Sequence, residues 1–124
     1  MTGGADRNYE RKIEIMKEKN IIVFETGIGG HFLEWIHHIY MCAVNDSEST
    51  YTFIVQAREF EQLKTKFLWP EAANVRFEFI TDDEMRGVSN KWQKRTGSVT
   101  KLLCNKLSQL SPPTGSTLIL LNLS

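Results

Sequence analysis

Ile21-Ile22-Val23-Phe24-Glu25-Thr26-Gly27-Ile28-Gly29-Gly30-His31 is the stretch from which the rest of the chain is read. It opens with four β-branched or aromatic side chains in a row, the pattern of a strand buried on both faces. Three glycines in four residues follow. Apolar side chains then recur at positions 32, 33, 35, 36, 39, 40, 43 and 44, which is helical spacing with a broad buried face. A buried strand, a glycine turn and an amphipathic helix are the opening of a βαβ unit.

The same alternation continues outward. Asn45-Asp46-Ser47 stops the helix, and Tyr51 to Val55 is a second strand. Arg58 to Phe67 is a short helix with Phe60, Leu63 and Phe67 on one stripe, broken by Pro70. Val75 to Ile80 sets Val75, Phe77 and Phe79 against Arg76 and Glu78, as a strand near a sheet edge does. Thr81-Asp82-Asp83 is a turn or a helix cap. Residues 98–110 form a helix with Val99, Leu102, Leu103, Leu107 and Leu110 facing inward, ended by Ser111-Pro112-Pro113. Residues 117–123 make a fourth buried strand. Strands alternating with helices imply parallel pairing through right-handed crossovers. The expected fold is therefore α/β: a Rossmann-like three-layer α/β/α domain over residues 20–124, with a four-stranded parallel sheet in the order 3-2-1-4. A polar lead-in, residues 1–19, precedes it. Further elements normally follow the fourth strand in this fold, so the sequence reads as a domain cut short.

Composition agrees with one globular domain. Of 124 residues, 41% are hydrophobic and 24% charged, which excludes a disordered or coiled-coil chain. No apolar run nears the ~20 residues that span a bilayer, and the first twenty residues carry no apolar signal stretch. Cys42 and Cys104 are too few for a disulfide framework or a metal tetrad, and suggest cytoplasmic thiols. The net charge is zero but uneven: residues 85–124 hold six bases and no acid. That third can present a positive surface, but an overall basic protein built for nucleic acid is not indicated.

Ligands of open α/β sheets sit outside the carboxyl ends of the strands, beside strand 1 at the point where the strand order reverses. Gly27, Gly29 and Gly30 lie there, before a helix whose first N–H groups and dipole favour an anion. A phosphate is the natural guest; the alternative is a loop that only turns the chain. A mononucleotide P-loop is excluded, because Gly30 is followed by His31 and Phe32 rather than by Lys and Ser or Thr. A dinucleotide fingerprint is also poor. Phe32 stands where a small residue is required, and Gln56-Ala57-Arg58 closes strand 2 without the ribose-binding acid, Glu59 coming late.

The unit IIVFETGIGGH, residues 21–31, resembles the first strand and glycine-rich loop of GT-B fold glycosyltransferases, whose motif has the form Gly-x-Gly-Gly-His: here Gly27, Gly29, Gly30 and His31. The resemblance extends to the βαβαβαβ order over residues 20–123. The stretches FLEWIHHIYM (32–41) and LWPEAANVRFEFI (68–80) are similar to bacterial members of the family-4-like group. It implies the N-terminal, acceptor-side domain of an enzyme that moves a sugar from a nucleotide-sugar donor to a glycan, lipid-linked or small acceptor. Gly27, Ile28, Gly29, Gly30 and His31 would face the donor diphosphate and sugar, and the missing second domain would bind most of the donor. The fragment alone is then expected to be inactive.

His31, Glu34 and His38 share a helix face, but the two histidines stand about 10.5 Å apart along the axis, so no metal site is expected. No cofactor is expected either. Glu25 can meet an acceptor hydroxyl or bond the loop's own backbone, the second being preferred. Asp82, Asp83 and Glu84 suit a cap better than a general base. Trp92, Lys94 and Arg95, in the irregular basic stretch 86–101, are candidates for the acceptor side or for peripheral contact with the inner face of a membrane; the alternative is an ordinary solvated surface. Trp35 and Trp69 read as packing residues. Two further readings compete: a flavodoxin-like nucleotide or FMN module, and a non-enzymatic interaction domain completed through strand 4.

Overall fold

The computed structural model describes residues 19–67 and 70–121, and of Trp92 only the backbone. The expected fold is present. Strand β1 (Lys19–Phe24) leads to helix α1 (Gly30–Val44), and β2 (Ser49–Gln56) to α2 (Ala57–Lys66). Then come β3 (Val75–Ile80), the short α3 (Asp82–Arg86), the long α4 (Trp92–Leu110) and β4 (Thr117–Leu120). The four strands form one parallel sheet in the order β3-β2-β1-β4.

Alternation along the strands makes the three layers. Val23, Phe53 and Val55 point to one face, where Leu33, Ile36 and Tyr40 of α1 and Leu63 of α2 pack on them. Ile22, Phe24 and Ile54 point to the other, against Val99, Leu102 and Leu103 of α4. Strands buried on both faces need continuous apolar runs, and the two central strands, β1 and β2, have them.

Three expectations are corrected. Helix α4 begins at Trp92, six residues before the expected start. Its first turns are polar and carry Gly97, so the apolar periodicity that marks a helix begins only at Val99. Strand β4 is not fully buried: Leu118 and Leu120 are each 38% exposed. They are in register with Ile22 and Phe24, hence on the α4 face, and α4 leaves this sheet edge uncovered. Trp35 is 44% exposed, not a core residue. It meets the His31 and Phe32 rings on the outer side of α1. Trp69 lies outside the described residues.

Candidate functional site

The glycine loop runs off the carboxyl end of β1, as its position in the sequence requires. Gly29 and Gly30 have φ of 73° and 55°, backbone that side chains other than glycine rarely adopt. Gly27 is needed for another reason: a Cβ there would lie 2.4 Å from the Phe32 ring. So two glycines make the turn, and the third lets the ring of the first helical turn fold back over the loop.

Helix α1 starts without any side-chain cap, and its first turn holds no acid. The amides of Gly30, His31 and Phe32 have no intrahelical acceptor, and none is bonded among the described residues. Gly30 and His31 are exposed. This leaves free donors and the positive end of a 15-residue helix at the ligand edge of the sheet.

The other loop amides are taken. The Gly27 N–H donates to Oε2 of Glu25 at 2.8 Å, and the Gly29 N–H donates to Oε1 of Glu59 at 2.9 Å. Glu25 thus bonds the loop's own backbone, the preferred of its two readings. Glu59, which comes too late after β2 to hold a ribose, instead serves as a loop acceptor, a role its place in the sequence does not by itself announce. The order of elements carries the signal: the first turn of the helix after β2 lies at the same sheet edge as the loop after β1. Gln56 adds a third tie, its Nε2 donating to the carbonyl of Thr26. Burial pushes both carboxyls above their ordinary range, against the pull of the bonds from the loop amides. For Glu25 the neighbouring Glu59 adds to the rise and the charge of Arg95 opposes it.

Of the candidate acceptor-side residues, the fold brings Arg95 of α4 within electrostatic reach of Glu25. Lys94 is exposed one residue away, and the Trp92 side chain is not described. Thr81 and Glu84 form a capping box on α3, while Asp82 and Asp83 are exposed in its first turn and Asp83 pairs with Arg86, so of the three acids Glu84 acts in the cap. Among the described residues no group of three or more His, Cys, Asp or Glu can hold a metal ion. No helix there is long and apolar enough to cross a membrane.

Two shallow hollows flank the loop region. One, about 320 Å³, is lined by Leu33, Glu61, Gln62, Thr65 and Lys66, and Gln62 reaches toward Gly29. The other, about 330 Å³, lies past the ends of β2 and β3, between Gln56 and Asp82. A larger hollow of about 610 Å³, between α3 and α4, does not include the loop. The chemistry argues for the loop regardless of size, since free N–H groups converge there. Compared with known proteins, the chain matches no family model, no curated protein and no solved structure.

Proposed function

We propose that this domain binds an oxyanion, the diphosphate of a nucleotide-sugar, at the N-terminus of α1, and serves as the acceptor-side half of a GT-B-like glycosyltransferase. The observation that carries the reading is the uncapped start of α1: Gly29 and Gly30 at positive φ, and three successive amides without an acceptor among the described residues. Gly30, His31 and Phe32 supply the first contacts to the anion, and Gly27 and Gly29 shape the loop. The loop amides and the helix dipole stabilise the departing diphosphate. A second domain completes the donor site, and the acceptor approaches from the side of Arg95. The glycosyl part of the reading rests on the resemblance of residues 21–31 to that family; the oxyanion part rests on the geometry.

The test is an amide-resolved NMR titration of the chain with uridine diphosphate, with inorganic pyrophosphate and with FMN. Uridine diphosphate and pyrophosphate should both move the Gly29–Phe32 amides. Absence of any shift in that segment overturns the reading. Tight, selective FMN binding would replace it with the flavin alternative.

A further inference from the structure

Two carboxyls from different elements hold the glycine loop from within. Glu25 follows β1 and Glu59 lies in the first turn of α2; they are 1% and 0% exposed. Glu25 accepts the Gly27 N–H through Oε2, with the Thr26 amide also drawing on its charge, and Glu59 accepts the Gly29 N–H through Oε1. The other oxygen of each, Glu25 Oε1 and Glu59 Oε2, is buried without a hydrogen-bond partner among the described residues, as is Thr26 Oγ1. Ionised carboxylates in such places are normally paired with a cation or bonded at both oxygens. Here neither holds: among the described residues no ion pair includes Glu25 or Glu59.

The surroundings supply little else. The charges acting on Glu25 are those of Glu59 and Arg95. Strand β2 contributes Gln56, which is neutral, and β4 has no titratable side chain. Helix α1 carries His31 and Glu34 nearest the loop, both exposed. An oxyanion reaching for the Gly27 and Gly29 amides must compete with these carboxyls and lie beside them. In a site of low dielectric, ionised carboxylates repel it and neutral carboxyls do not.

We propose that Glu25 and Glu59 form a proton-operated latch on the loop: ionised, they keep the Gly27 and Gly29 amides; neutral, they yield them to an oxyanion, so that binding takes up protons. The inference rests on the reading of the loop as an oxyanion site. The two unpartnered oxygens are where the protons sit. Burial raises both groups from the ordinary value of 4.5, which moves the change toward neutral pH.

Sulfate is the probe, because it remains a dianion over the range used. It is titrated into the chain and into the Glu25→Gln/Glu59→Gln variant at constant ionic strength, with the loop amides followed by NMR. From the ordinary carboxyl range up to neutral pH the natural chain should lose tenfold or more in affinity, since each proton taken up changes affinity up to tenfold per pH unit. The double variant should lose far less. The imidazole of His31 is common to both proteins, so the difference isolates the carboxyls. Equal pH dependence in the two proteins, or none in the natural chain, overturns the latch and leaves the oxyanion site standing. No loop shift in either protein overturns both. Should the double variant not fold, the single variants are compared: each must bind more tightly than the natural chain at the higher pH, and weaker or equal binding overturns the latch.

Discussion

The same substitution, glycine to alanine, has opposite consequences at positions 27 and 97. At Gly27 the new Cβ falls 2.4–2.8 Å from three atoms of the half-buried Phe32 ring, which must move with its edge contact to Trp35. Gly27→Ala should destabilise the fold by about 1–3 kcal/mol, the usual range for overpacking. At Gly97, exposed within α4, a Cβ meets nothing within 4 Å. Gly97→Ala should stabilise by about 0.5–1 kcal/mol, by lowering the backbone entropy lost on folding. Urea unfolding of both variants checks the pair, and a destabilised Gly97→Ala would show that α4 is not helical there. The glycine-rich composition of the loop was legible in the sequence. Which glycine serves the turn and which serves packing was not, because that depends on where the Phe32 ring folds back.

At the scale of elements, Lys106 shows how α3 and α4 are tied to the sheet. Its side chain is buried on α4, and its Nζ donates to the Phe79 carbonyl of β3 at 3.0 Å and pairs with Glu84 of α3 at 2.7 Å. Burial alone would raise Glu84, but the bonds from Lys106 and Thr81 outweigh it and hold the carboxyl below its ordinary value of 4.5. A lowered folded-state value means stability that is present above the ordinary value and is lost as pH falls through the lowered one. Lys106→Met should cost about 1–3 kcal/mol at neutral pH, because it leaves a half-buried carboxylate and a backbone carbonyl without their donor. It should also flatten the loss of stability on acidification. Thermal unfolding of both proteins from neutral to acid pH measures this, and an unchanged acid limb would contradict it. The sequence showed α4 from Val99 onward through its apolar period. It did not show the polar start of that helix, nor that a lysine on it would be buried, since burial of a charge depends on a partner from another element.

At the scale of the whole molecule, the two faces of the sheet are filled unequally. Phe53 is fully buried among Tyr40, Tyr51 and Phe77, and Phe53→Ala should cost about 3–5 kcal/mol. Leu118 on the β4 edge is 38% exposed, and Leu118→Ser should cost less than about 1 kcal/mol. The same urea assay ranks the two, and similar losses would mean that the β4 edge is covered in solution. The strand and helix order, the parallel sheet and its 3-2-1-4 arrangement were within reach of the sequence alone. Hydrophobic periodicity marks elements locally, and the handedness of crossovers leaves few ways to join them. The placement of the glycine loop at the carboxyl edge of the sheet followed from that order. Tertiary structure alone decided that Glu59, thirty residues after Gly29, takes the Gly29 amide, and that Glu25 and Glu59 are both buried with one oxygen each left unpartnered among the described residues. The physical reason is that hydrogen bonding and desolvation of a side chain depend on which distant segments meet around it. Neighbours along the chain do not carry that information.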